Sequence, residues 1–422
     1  MHTVYLSVLP IHPTSLLNSI QQHSDCQLFS GEGFLNPYRE LTNHTDYLPV
    51  HLLLLSPTRS VSGSFSQCSE MMNRTIETNV TRSDRFVSGW AGIIDYPSTP
   101  ESEPECRFHF YPYSILIDPT KDYCLIQAYS PVNPDQLLAL IPDITPENKP
   151  RLRQWQAYWQ QDQYTQAFQS VHNYLLDGDC YQVNLTMPFI CNDDLRHCNP
   201  TPLLSTFNAP FSFYMKDADR TVFSVTPERF LSINTGRIET RPIKGTAPRS
   251  EDPVADRKNS EDLLSSEKNR AENLMIVDLL RNDLSRSAEP DSVRVEKLFD
   301  LESHANVHHL VSTISAQMKA GLTPSDIVRS AFPGGSITGA PKKRAMEIID
   351  ELEAEPRGPY CGSAGFFDEG GYTDFNILIR TITATEEKAV CWGGGGIVID
   401  STAPEEYQEI FNKVQKILDT PL

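Results

Sequence analysis

Lys244 and a scatter of carboxylates are the residues of this chain best suited to chemistry. Lys244 lies in the run Glu239-Thr240-Arg241-Pro242-Ile243-Lys244-Gly245-Thr246-Ala247-Pro248-Arg249. Before it stands a hairpin pattern: residues 229–233, a turn at Asn234-Thr235-Gly236, then residues 237–240. Pro242 rules out a central strand there, and Gly245 lets the backbone bend or approach a ligand closely. The lysine is expected between a strand end and a tight turn, where its side chain can face a cleft. An ordinary lysine has a pKa of about 10.4 and is protonated at neutral pH. To act as a nucleophile it must be desolvated or set beside another cation. In isolation it reads as solvated surface, so the rest of the chain must supply that setting.

Residues 260–285 read as one long helix carrying Glu272, Asp278 and Asp283, all three expected to face water. The last helix has Ser401 or Thr402 as cap and Pro404 in its first turn. Its apolar stripe is Tyr407, Ile410, Phe411, Val414, Ile417 and Leu418. Glu406, Glu409 and Lys413 fall at i, i+3 and i+7 on one border of that stripe, the pattern of a surface Glu–Lys pair. Four successive glycines, Gly393 to Gly396, precede this helix in or beside a strand. Their entropic cost implies that the backbone there approaches something closely. The run Gly334-Gly335-Ser336-Ile337-Thr338-Gly339-Ala340-Pro341-Lys342 invites a phosphate-loop reading but fails it. The Gly-Lys-Ser/Thr ending is missing, and Pro341 removes an N–H that a phosphate cradle would use. Pro341 is expected to open a helix over 342–353 instead.

The 422 residues, 39% hydrophobic and 22% charged, suffice for a large core. With 36 basic against 55 acidic residues, the formal charge of −19 argues against nucleic acid or an anionic membrane surface as partner. A small anionic substrate stays possible, because local cations set the field. Nine scattered cysteines, without a CxxC pair or Cys/His cluster, support neither a disulfide framework nor a zinc site. No leader pattern opens the chain, and the longest early apolar run, residues 50–55, is too short for a bilayer; a cytoplasmic, soluble protein is expected. Strands are expected at 86–96, 108–117, 123–128, 181–186, 211–215, 221–225, 361–367 and 376–383. A helix is expected over 162–176 from the spacing of Tyr164, Phe168, Val171, Leu175 and Leu176. Five prolines between 131 and 150 mark a linker.

Several of these segments together resemble the chorismate-utilising enzymes. They are residues 177–185 (Asp177-Gly178-Asp179-Cys180-Tyr181-Gln182-Val183-Asn184-Leu185), Pro227-Glu228-Arg229-Phe230, 241–246, 270–278, Val307-His308-His309-Leu310-Val311-Ser312, 332–342, Arg380-Thr381 and 394–400. The match is dense from about 177 to 418 and weak before 86. The resemblance implies an α+β fold, with large antiparallel sheets and surrounding helices enclosing a central cleft. Residues 1–150 would contribute to the shared sheet core, and 151–422 would form the chorismate-binding catalytic region. It further implies Mg2+ held by Glu272 and Glu409, with Glu406 as a further ligand or support, and the ring carboxylate of chorismate completing the site. Arg380 and Tyr360 would grip the enolpyruvyl carboxylate. Ser336, Gly395, Gly396, Gln182 and Lys413 are the other implied substrate contacts, and His309 would lie near the reacting ring carbons.

Two positions choose among the family's reactions. Members that add water carry a lysine base where this chain has Gln182, so ammonia is the implied nucleophile. Members that form anthranilate usually have alanine where this chain has Lys244. The resemblance therefore implies amination at C4, in para-aminobenzoate and folate biosynthesis. Lys244 would attack C2 as the C4 hydroxyl leaves, Glu228 would act as general acid and then base, and ammonia would expel Lys244. Mg2+ and nearby arginines are expected to lower the lysine pKa. Because no Gly-x-Cys-x-Gly turn is seen, a separate glutamine amidotransferase subunit would deliver ammonia, and a separate lyase would act downstream. Anthranilate formation with release of pyruvate, or silent binding of chorismate, are the alternatives.

Overall fold

Apolar runs broken by turn residues pair into two large antiparallel sheets in this computed structural model, which describes residues 4–36, 51–74, 82–141, 150–303 and 307–422. The first sheet runs, in hydrogen-bonded order, Tyr5–Leu9, Cys124–Ala128, Tyr113–Ile117, His51–Leu54, Cys26–Ser30, Ser212–Lys216, Thr221–Ser224, Thr381–Ala384, Ala389–Ile397, Gln182–Cys191, Gly339–Ala340. The second runs Ile243–Pro248, Val307–Gln317, Arg237–Thr240, Arg229–Asn234, Thr373–Asn376, Ser363–Asp368, Gly89–Ile94, Glu105–Tyr111, Arg59–Ser64, with Arg294–Ser303 also on Val307–Gln317. Each sheet joins early strands to late ones, as the α+β expectation requires.

The two sheets pack face to face, with helices on their outer sides. Between them lie Phe29 and Phe213 from one sheet and Ala91, Ile93 and Phe366 from the other. The Phe29 ring sits 5.0 Å from Phe213 and 5.3 Å from Phe366, each such pair adding roughly 0.5–1.5 kcal/mol beyond area burial. Helices Gln161–Leu176 and Ala403–Leu418 cover the first sheet through Tyr164, Phe168, Ile410 and Val414. Helices Phe65–Asn73, Glu267–Ser285 and Pro324–Ala331 cover the second through Phe65, Ile276, Leu280 and Ile327.

Several expected elements divide. The helix over 260–285 is two, Pro253–Ser265 and Glu267–Ser285. They part at Ser266, whose extended backbone and Oγ, accepting from the Asn269 N–H at 3.3 Å, cap the second. Residues 108–117 form two strands in different sheets, separated at Pro112, which has no N–H to continue a ladder. Residues 376–383 likewise switch sheets, between Thr373–Asn376 and Thr381–Ala384. The proline-rich stretch opens with a short helix, Pro134–Leu138, capped by Asn133, while 142–149 lie outside the described residues. Asp283 does not face water: it is buried 2.6 Å from Lys342 Nζ.

Candidate active site

A β-bulge presents Lys244. Ile243 pairs with Val311 and Thr246 with His309, so one extra residue is accommodated at Lys244-Gly245. Gly245 has φ +89, and a Cβ there would come within 2.9 Å of Leu263 Cδ1 and 3.0 Å of Asn269 Cγ. The junction of the two helices closes over the bulge, and only glycine meets both demands. Burial pushes the Lys244 ammonium below its usual pKa, opposed by Glu228, Glu272 and Glu409 and reinforced by Lys413. Its cationic neighbour is thus Lys413 rather than an expected arginine.

Glu228 and Arg380 stand where the chain crosses between sheets. Glu228 joins Thr221–Ser224 to Arg229–Asn234, and Arg380 joins Thr373–Asn376 to Thr381–Ala384. The two crossings are tied together: the Ile377 N–H donates to Glu228 O at 3.0 Å and the Val225 N–H to Arg380 O at 3.1 Å. Burial raises the Glu228 pKa above the usual carboxyl range, with Ser336, Lys244 and Arg380 opposing it. Ser336, in the turn Gly335–Ile337, donates its Oγ–H to Glu228 Oε1 at 2.7 Å. Arg380 is half-buried, and burial lowers its pKa while Glu228 raises it. Its guanidinium makes no hydrogen bond or ion pair with a described residue, leaving a fork free for a carboxylate.

The glycine run is explained by what lies over each member. A Cβ on Gly393 would reach 2.8 Å from Ile410 Cγ2 and Val414 Cγ1, so this glycine lets the last helix sit down on the sheet. On Gly395 it would meet Glu406 Oε2 at 3.1 Å, Lys413 Nζ at 3.3 Å and Glu409 Oε1 at 3.9 Å. On Gly396 it would meet the amide of Gln182, at 2.9 Å from Cδ. Glu406 and Glu409 therefore converge over bare backbone, one helical turn apart. Burial and Glu409 raise the pKa of Glu406, whose Oε1 accepts from Ser401 Oγ at 2.6 Å. Glu409 is held below its usual range: burial pushes it up, but Lys413, Lys268 and Lys244 outweigh that. Lys413 Nζ lies 2.6 Å from Glu409 Oε1 and donates to Gly394 O at 3.0 Å. The expected Glu–Lys pair exists, but it roofs a cradle rather than a featureless surface.

Glu272 stands on Glu267–Ser285 and, like Glu409, acts electrostatically on Lys244. Its neighbour Asn273 fixes that helix: Ser312 Oγ donates to Asn273 Oδ1 at 2.6 Å, on the strand that carries the bulge's partner residues. Glu406 and Glu409 over a glycine floor, with Glu272 on the neighbouring helix, are hard oxygen donors of the kind Mg2+ takes. The donor set fits that ion.

The remaining candidates take varied places. Gln182 is buried, and its Nε2 has no hydrogen-bond partner. Tyr360 is buried and stacked on Trp392 at 5.8 Å and 8°. His309 lies beside the bulge, with Nδ1 2.9 Å from Thr246 Oγ1. His308 points elsewhere, between Ser303 Oγ at 2.8 Å and Asp256 Oδ1 at 3.1 Å. Sequence reasoning missed the scaffold pair Arg357 and Glu353. Arg357, fully buried, contacts Glu353 at 2.7 Å and donates to Ile337 O at 3.0 Å and Asn184 O at 2.7 Å. It joins the Ser336 turn to the Gln182 strand. The i, i+4 spacing was visible, but nothing in a loop reading Pro356-Arg357-Gly358 announces burial.

Lys244, Lys413, Glu228, Glu409 and Arg380 form one electrostatic network, a setting suited to a small anion. The chain matches the chorismate binding enzyme family over residues 69–419 and belongs to it. It is 45% identical over 318 residues to aminodeoxychorismate synthase component 1 of Salmonella typhimurium, covering 75% of this chain and 70% of that one. With aminodeoxychorismate synthase component 1 of Escherichia coli it shares 44% over 347 residues, covering 79% and 77%. The fold is shared with anthranilate synthase component I of Streptococcus pneumoniae, at a TM-score of 0.75 and 24% identity over 87% of this chain and 92% of that one.

Proposed function

We propose that this enzyme aminates chorismate at C4 to give 4-amino-4-deoxychorismate, through a covalent adduct on Lys244. One observation carries the reading. A bulge holds a desolvated lysine within electrostatic reach of a buried carboxylic acid, Glu228, in a cleft whose relatives at 44–45% identity are aminodeoxychorismate synthases.

Arg380 pairs with the enolpyruvyl carboxylate, and Tyr360 and Gln182 line the ring's surroundings. Glu272, Glu406 and Glu409 would hold Mg2+, which when bound would supply a Lewis acid for the ring carboxylate. Lys244 in its neutral form attacks C2. The N–C2 bond forms, the ring double bonds shift, the C4–O bond breaks, and Glu228 gives its proton so that water leaves. Ammonia then attacks C4, the double bonds shift back, and the C2–N bond breaks to release Lys244. Glu228 takes the proton that the new ammonium loses. The sum is chorismate plus ammonia giving the amine plus water, with the enolpyruvyl ether intact. His309 lies beside the bulge and helps to hold the ring in place. Ammonia comes from a separate glutamine amidotransferase component, and a separate lyase removes pyruvate afterwards. Nine free, buried cysteines support a reducing, cytoplasmic setting.

The test is mass spectrometry of the product from purified enzyme, chorismate, Mg2+ and ammonium, with pyruvate assayed in parallel. A C4-aminated product without pyruvate is expected, with Lys244→Ala inactive at saturating ammonium. Anthranilate with equimolar pyruvate, chorismate bound but unchanged, or an unaltered rate in Lys244→Ala would each overturn it.

A further inference from the structure

A second cluster of titratable side chains lies between the two sheets, built from none of the residues discussed above. Asp25 immediately precedes the strand Cys26–Ser30, and Asp217 immediately follows Ser212–Lys216. These strands are neighbours inside the first sheet, with Lys216 opposite Cys26, so the two carboxyls meet at one end of the strand pair. His109 comes from Glu105–Tyr111 in the second sheet. One ligand atom from each of the three lies within 4.8 Å of the others.

His109 carries the argument. It is 4% exposed, and its Nε2 is buried without a hydrogen-bond partner, 3.6 Å from Asp217 Oδ1. Its Nδ1 lies 2.8 Å from Ser60 Oγ. When Nδ1 carries the proton and donates it to that hydroxyl, Nε2 is left as a lone pair directed at the carboxylates. This is the arrangement that metal-ligating histidines adopt through their second nitrogen. Arg107, two residues along the same strand face, holds Asp217 Oδ2 at 2.6 Å and also Asp219, which leaves Oδ1 directed inward. The guanidinium thus contacts two carboxylates, and the Asp25 carboxyl stands beside Asp217. Two carboxylates cannot be held together with like charge between them; a proton or a cation must sit there.

We propose that Asp25, His109 and Asp217 form a binding site for a divalent transition ion of the zinc or manganese class, which ties the two sheets together. An imidazole nitrogen with two carboxylate oxygens suits these ions and disfavours Mg2+ and Ca2+, which take oxygen ligands. Asp25 is half-buried, giving the ion a path from solvent and leaving positions for water. Its role is structural, since the ligands come from both sheets and none is among the residues of the candidate active site.

The test dialyses the whole enzyme against Zn2+ in the presence of excess Mg2+, then measures retained zinc by elemental analysis and affinity by competition with a chelating dye. Co2+ substitution supplies visible absorption as a second readout. The wild type is expected to retain one equivalent of zinc. His109→Gln and Asp25→Asn should each weaken it by more than about tenfold, the loss typical of removing even a supporting partner of a ligand. Amination with excess Mg2+ should be unchanged in both. Asp25 has φ +53, a conformation asparagine accepts, so this variant decides the question if His109→Gln fails to fold. No retained zinc in the wild type, or zinc held equally by Asp25→Asn, overturns the proposal in favour of a shared proton.

Discussion

Replacing Ser336 by alanine isolates the hydrogen bond that, among the described residues, is given to the buried Glu228 carboxyl. The contact is 2.7 Å and buried at both ends. A hydrogen bond to a charged group contributes about 1.5–3 kcal/mol. Since one pKa unit corresponds to about 1.4 kcal/mol, its loss should raise the Glu228 pKa by about one to two units. The sign follows from burial, which already holds this carboxyl above its unfolded value. Its contribution to stability is complete below the unfolded carboxyl pKa and is lost as pH rises through the folded pKa. Ser336→Ala moves the upper end of that window higher, so urea unfolding should show extra destabilisation at neutral pH and almost none at pH values below the unfolded carboxyl pKa. In the pH profile of kcat/KM, one limb should move upward by about one to two units while the other stays in place. A Ser336→Ala enzyme that binds chorismate yet shows both limbs unmoved, or one moved downward, would refute the assignment of Glu228 as the proton donor.

Two substitutions within the glycine run should act for different reasons. Gly395→Ala meets only the ends of flexible side chains, at 3.1–3.9 Å, so its Tm should stay near wild type while the Mg2+ concentration needed for activity rises. Gly393→Ala drives a methyl to 2.8 Å from Ile410 and Val414 and should cost about 1–3 kcal/mol in urea unfolding; equal behaviour of the two variants would contradict the cradle. Arg357→Ala leaves Glu353 charged and buried, so unfolding free energy should fall by about 3–5 kcal/mol, and a loss below about 1 kcal/mol would show the pair to be dispensable.

Much of the site was legible as positions along the chain. Pro242 and Gly245 flagged an irregular strand, and the structure places a bulge there. The glycine run announced close approach, though not that each glycine yields to a different neighbour. The single helix over 260–285 failed because a hydrophobic period cannot show that Ser266 caps its own second half. The switches at Pro112 and between Asn376 and Thr381 failed because one strand period reads the same in either sheet.

The sequence by itself determined the family, the α+β class and the residue types of the cleft, because those are carried by local runs such as 241–246 and 394–400. Only the tertiary structure decided their states. Lys244 is a nucleophile candidate because burial and Lys413 lower its pKa, and Glu228 an acid because burial raises its pKa against the opposing Ser336, Lys244 and Arg380. Asp25, His109 and Asp217 are far apart in sequence, and no spacing rule joins them; strand pairing and sheet packing bring them within 4.8 Å. Desolvation and proximity are properties of folded space, and a linear order of residues does not contain them.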